Sequence, residues 1–197
     1  KLADLLRQDF IFVEKNLKDD PNGFWSRTFI KTTVSLIEAE IFILKQETLN
    51  YCREKHIQLS PELLLFLNNK KFEINSNGQV KERFLQVRLQ DDIKFVFSQI
   101  SSIKGHELKV SYEDADWSKV ISTIAVRNRL THPKSMDNMK VSNPEVADCK
   151  QAFNWFRSNL VSFLEQEKND IEKHAEKKLK DLEIMRDKLK SELPKGT

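Results

Sequence analysis

The chain has 197 residues, a length suited to one domain with an extension. Hydrophobic residues at 39% and charged residues at 32% fit a folded helical protein, whereas 4 Gly and 5 Pro are too few for a turn-rich β-sandwich. The net charge of +3 permits nucleic-acid contact without arguing for it, and two cysteines do not make a disulfide framework.

A first helix is expected from Leu2 to Leu17, with Leu2, Leu5, Leu6, Phe10 and Val13 on one stripe. Asp19-Asp20-Pro21-Asn22-Gly23 breaks it. A long second helix follows from about Phe24 to His56. Its apolar row Ile30, Val34, Ile37, Ile41 and Leu44 has a second row beside it, Phe29, Leu36 and Ile43. So much apolar surface predicts a central helix touched on two sides. Glu38 shares a face with Arg27, Lys31 and Lys45, which reads as a solvated ion-pair face. Glu40 falls on an apolar row and therefore needs a partner, because a buried charge is costly.

Ser60-Pro61-Glu62 opens a short helix carrying Leu63 to Leu67. Phe72-Glu73-Ile74 and Gln79-Val80 flank an Asn-Gly turn and predict a small β-hairpin, expected to pack on the helices. The stretch from Arg83 to Ile103 reads as a further helix stopped by Gly105, and His106 reads as a surface histidine in the following loop. Acidic residues from Glu113 to Asp116 cap the next helix, whose apolar positions begin at Trp117. Ser142-Asn143-Pro144-Glu145 starts the last one, with Val146, Cys149, Phe153, Phe156, Leu160, Phe163 and Leu164 as its stripe. Trp155 reads as core or interface, and Cys52 and Cys149 as buried thiols.

From Glu165 the composition turns to Lys and Glu, with no Pro or Gly before Pro194, so the helix is expected to run on to about Leu193. Ala175, Leu179, Leu182, Arg186, Leu189 and Leu193 trace a thin seam; it suits a short coiled coil or a solvated helix equally. Two units follow: a bundle over residues 1–167 and a charged helical extension over 168–197. Truncation after Gln166 is expected to leave the bundle folded. No apolar run approaches the ~20 residues of a membrane span and no signal-peptide pattern is present, so a cytoplasmic protein without membrane contact is expected.

The chemistry gathers in Arg127-Asn128-Arg129-Leu130-Thr131-His132-Pro133. On a helix, Asn128 and His132 share a face, and the long Arg127 side chain reaches the same patch. Pro133 disfavours helical geometry at His132, which puts the imidazole at the helix end, where unpaired carbonyls favour a cation. A plain helix stop would look the same. No phosphate-binding glycine loop, paired-cysteine metal spacing or nucleophile elbow accompanies it, so neither cofactor nor metal is expected.

Arg127, Asn128 and His132, on a late helix of an all-helical chain, resemble the motif of the HEPN superfamily (higher eukaryotes and prokaryotes nucleotide-binding). The resemblance covers about residues 1–167 and implies an all-α, up-and-down bundle. It implies a metal-independent endoribonuclease, such as a toxin or antiphage effector, or else a non-catalytic module for nucleotide, RNA or protein assembly. It also points to an acid in the Ile37-Glu38-Ala39-Glu40 stretch facing the Arg/His pair, with Glu38 preferred over Glu40. In such a site His132 is the acid/base, Arg127 binds the scissile phosphate and Asn128 orients either one. Arg129, facing away from Arg127, reads equally as extra charge or as structural.

The expected partners are RNA, a second copy of the chain, and an antitoxin or regulatory protein. The motif supplies one histidine per chain, and His56, His106 and His174 lack its context. A homodimer with a composite site would bring two such histidines together about a two-fold axis.

Overall fold

A computed structural model describes residues 2–18, 20 and 23–192, with side chains placed for 3–18, 20 and 23–186. Asp19, Pro21 and Asn22 of the expected breaker and Leu193 of the tail seam lie outside the described residues, as do the side chains of Leu2 and Leu189. The fold is mainly α, with one two-stranded antiparallel sheet. No helix among the described residues is long and apolar enough to cross a membrane.

Helix α2 (Phe24–Glu54) is the axis of the molecule, packed against α1 (Leu2–Asn16), α6 (Ala115–Thr131) and α7 (Asn143–Glu192). Both of its apolar rows are used. Phe29, Ile30 and Leu36 pack with Phe10, Val13, Val126, Leu130 and Cys149, while Ile37, Ile41 and Leu44 join Phe97, Trp117, Trp155, Phe156 and Phe163. Burying two faces of one helix is what its two apolar rows require. Trp155 is core, with its ring 5.2 Å from that of Trp117. Cys52 and Cys149 are buried free thiols, and desolvation pushes Cys149 up to about 12.

Several local expectations need correction. On α1 the buried stripe is Ala3, Phe10 and Val13 with Leu6 and Leu17 half-buried, and Leu5 faces solvent. Lys45 is not on a solvated face. It is fully buried and bonds Asp92 and, at 2.9 Å, the Asn69 Oδ1, with its ammonium 4.5 Å from the centre of the Phe66 ring. Glu40, by contrast, has the partner its position demanded. Arg7 of α1 donates to it through Nε at 2.9 Å and Nη2 at 2.5 Å.

The stretch from Arg83 to Ile103 is not one helix. Strands β1 (Lys70–Ile74) and β2 (Val80–Phe84) pair in register, Phe72 opposite Glu82 and Ile74 opposite Val80, so β2 consumes Arg83 and Phe84. Residues 85–88 form a connection, and α4 (Leu89–Phe95) begins only there, with Asp91 and Asp92 in its first turn. The chain continues through a π-helical turn (Val96–Ile100) into α5 (Ser101–Lys104), closed by left-handed Gly105. Nor does the hairpin pack down. Its strands are exposed along almost their whole length.

His106 needs correction too. Its side chain is only 3% exposed and sits edge-on to Phe163, with Nε2 3.5 Å from Asp170. Beside it, buried Lys104 pairs with Glu167, and Glu107 and Gln166 exchange two hydrogen bonds of 2.9 and 3.2 Å. These contacts dock the start of the charged extension. Beyond Glu172 every described side chain of α7 is exposed, including Leu179 and Leu182 of the expected seam. Helix α3 (Pro61–Leu67), capped by Ser60, and a 3₁₀ turn (Met136–Met139) between α6 and α7 complete the described fold.

Candidate functional site

Helix α6 starts where Asp114 accepts the Trp117 amide at 2.7 Å. Trp117, Val120, Thr123, Val126 and Leu130 turn inward. Val126 and Leu130 anchor the last turns, and this 3.6-residue phase leaves Asn128 facing out and Arg127 half-buried at the rim. The helix stops at Thr131. His132 follows with φ −124° and ψ 62°, outside the helical region, as the proline after it requires, while its N–H still donates to the Asn128 carbonyl at 3.0 Å.

Across from this turn, Glu38 of α2 forms an ion pair with Arg127. Burial pulls the Arg127 guanidinium below its ordinary pKa, although an arginine remains protonated at neutral pH. Glu38, Arg127, Asn128 and Ile124 form one side of an open groove of about 570 Å³. Its other side is the stretch 86–90 between β2 and α4: Gln86, Val87, Arg88, Leu89 and Gln90. That wall escapes a reading in which a helix begins at Arg83. The signal available for it was the acidic pair Asp91-Asp92, which marks a helix N-terminus several residues later.

Of the four candidate residues, three share the groove: Glu38, Arg127 and Asn128. His132 does not line it. Its imidazole is exposed at the helix end and makes no hydrogen bond or ion pair among the described residues. Of the two acids considered, Glu38 stands beside Arg127, whereas Glu40 is committed to Arg7.

Arg129 is structural. It turns to the far side and bonds the Lys140 carbonyl at 3.0 Å and Glu145 at 2.7 Å. Glu145 also accepts the Ser142 amide at 2.8 Å, while the Ser142 hydroxyl accepts the Glu145 amide, a reciprocal cap on α7. Arg129 thus pins the connection after His132 to the start of the long helix. Lys134 and Lys140 lie in that connection on the surface.

Chemically, the groove offers a fixed cation balanced by one carboxylate, three neutral amides (Asn128, Gln86 and Gln90) and a further guanidinium, Arg88, held by Asp91 at 2.7 Å. Such a set suits a phosphate with hydrogen-bonding groups on either side, the phosphate competing with Glu38 for Arg127. No three His, Cys, Asp or Glu side chains converge as metal ligands among the described residues. No family model matches the chain, and no curated protein or solved structure is significantly similar to it.

Proposed function

We propose that the chain is a metal-independent endoribonuclease of the HEPN type, working as a toxin or antiphage effector on RNA in the cytoplasm. The observation that carries the reading is the combination at the end of α6: Arg127 and Asn128 in an open groove, with a solvent-exposed, unbonded imidazole one turn further on. The ion pair that Glu38 of α2 makes with Arg127 is more than a helix stop requires. In the proposed reaction His132 moves a proton between the RNA 2′-hydroxyl or the leaving 5′-oxygen and solvent, and Arg127 neutralises the phosphorane charge. Glu38 holds Arg127 in place before RNA arrives.

Acid/base cleavage uses two proton-transfer groups, and the chain brings one histidine, His132, to the end of the groove-lining helix and none into the groove itself. A homodimer would supply His132 of a second copy across a two-fold axis. Arg129, engaged by Glu145, adds nothing to the charge in that cleft. The arginines brought together would be Arg127 and Arg88 of each copy, offset by Glu38 and Asp91 respectively. An antitoxin or regulatory protein fits the same reading as the means of restraining it.

A non-catalytic RNA-binding module is the second reading. It is favoured by the absence of His132 from the groove lining. The test is RNA cleavage in EDTA by the full chain and by His132→Ala, with light scattering for mass. Activity lost in His132→Ala at unchanged helicity supports the nuclease. Equal activity in both proteins refutes the assignment. RNA binding without cleavage in either favours the module. Mixing inactive His132→Ala and Arg127→Ala chains should restore part of the activity if the site is composite, whereas a strict monomer that cleaves RNA would refute that arrangement.

A further inference from the structure

The hairpin is unusual in what it exposes. Cross-strand partners share a face of the sheet, so Phe72, Ile74, Val80 and Phe84 lie together on one side, with Lys70 and Glu82 ion-paired at 3.0 Å. Their exposures are 57%, 75%, 67% and 71%. The other side carries Lys71, Glu73, Lys81 and Arg83. Four cations thus stand against two acids over fifteen residues, and Glu73 is shared by Lys71 and Arg83. Lys81 has no ion pair among the described residues.

The base of this arm is fixed. The Leu85 amide donates to the Asn69 carbonyl at 2.7 Å, and the Asn69 side chain accepts from buried Lys45, which also pairs with Asp92 of α4. One desolvated lysine therefore holds the root of the hairpin and the helix that follows the groove wall. Strand β2 passes through Leu85 directly into residues 86–90, the wall opposite Arg127.

We propose that the β1–β2 hairpin is a binding arm for single-stranded RNA, stacking bases on Phe72 and Phe84 and leading the strand into the groove beside Arg127. The inference rests on the ribonuclease reading and names how its substrate is held. Phe72 and Phe84 are diagonal neighbours on one face, about 7–8 Å apart. Rings on one face of the arm give bases a stacking surface, and the net positive charge on the other face, where Lys81 has no ion pair among the described residues, attracts the backbone of a strand that wraps the arm. A second copy of the chain is the weaker occupant. Four side chains expose far less than the ~800 Å² per partner of a standard interface, and two copies of this arm would bring like net charges together.

The test uses the full-length chain and a labelled 12-nucleotide RNA whose 2′-positions are O-methylated, so that it cannot be cleaved. Fluorescence anisotropy is measured for the wild type, for Phe72→Ala with Phe84→Ala, and for Lys81→Ala with Arg83→Ala, with light scattering and thermal unfolding alongside. The aromatic pair should lose at least tenfold in affinity, and the basic pair should lose affinity together with part of the salt dependence. Both variants should keep mass and melting temperature, because the arm is outside the core. Unchanged affinity in both overturns the arm. Changed mass with unchanged affinity overturns it too and makes the hairpin a protein interface. The two proposals fail separately. Cleavage by wild type with the same KM in the aromatic variant removes only the arm, whereas arm-dependent binding with no cleavage removes only the nuclease.

Discussion

Two corners of the molecule collect the same chemistry, a histidine, a long cation and acids, and they differ in what water reaches. At the end of α6 the cation is held by one carboxylate at the rim of a groove and the imidazole is exposed. At the junction of α5 with α7 the Lys104 ammonium is buried against Glu167, and His106 is enclosed between Phe163 and Asp170. The first corner leaves its imidazole open to solvent. The second faces an open cavity of about 580 Å³, yet its Lys104 and His106 are almost out of water and are held by residues of α7. The same residue types thus make an open corner and a buried strut, and the difference between them is solvation.

The sharpest way to test that contrast is to remove each histidine. His132→Ala should lower RNA cleavage by about 10²–10⁴-fold, the usual range for a lost proton-transfer group, and leave the melting temperature unchanged. His106→Ala should do the reverse. A single assay of cleavage in EDTA paired with calorimetry reads both. Cleavage surviving in His132→Ala, or failing in a folded His106→Ala, would exchange the roles of the two corners.

The next effect is on stability. Glu167→Ala leaves Lys104 buried with its countercharge gone, at a cost of about 2 kcal/mol, short of the ~3–5 for a fully enclosed pair because Glu167 still touches water. For a chain of this size that is a fall of roughly 4–8 °C in calorimetric midpoint. Glu38→Ala, the matching change at the exposed corner, should move the midpoint far less, because Arg127 can turn to solvent.

How much of this was readable follows from the kind of force at work. Amphipathic spacing and caps are local, so α2, the Ser60 and Ser142 caps and the long last helix were accessible from the residues alone. The partner that Glu40 required was foreseeable as a need, but Arg7 as its identity was not, since the pairing spans 33 positions. The burial of Lys45 and His106 is decided by Asp92 and Asn69 in one case and by Phe163 and Asp170 in the other. Those tertiary neighbours leave no mark on the local pattern. The groove wall at 86–90 is a milder case: where the pairing of β2 with β1 ends is tertiary, but the acidic pair Asp91-Asp92 marks the helix start that follows it.

Acidity gives the buried corner a gentler test. Desolvation is the main reason that His106 titrates below its ordinary value of 6.5; Glu167 and Asp170 pull it up and Lys104 pushes it further down. With the folded pKa depressed, the unfolded chain takes up the proton first as pH falls. The stabilisation from neutral His106 is therefore complete above about pH 6.5 and is lost as pH drops through that value toward the folded pKa. The melting temperature should decline between pH 7 and 5.5 in the wild type and decline less in His106→Gln. Parallel curves for the two proteins would show that His106 is not the group responsible.

The smallest expected effect concerns where the strut ends. Cutting after Glu172 keeps Gln166, Glu167 and Asp170, every acid and amide through which α7 grips Lys104, His106 and Glu107. What it removes is exposed wherever a side chain is described, and surface groups of that kind change stability by no more than about 0.5 kcal/mol. The midpoint should move by about 1–2 °C and cleavage should be unaffected. Cutting six residues earlier, after Gln166, should still leave a cooperative transition, because the buried stripe ends at Phe163. That shorter protein, however, strands Lys104 and His106 together, so its loss should match or exceed that of Glu167→Ala. The pair of truncations thus brackets the boundary between bundle and extension. A large loss in the longer protein would mean that the exposed stretch past Glu172 is itself a packing surface, and the comparison drawn from the two corners would then extend to a third.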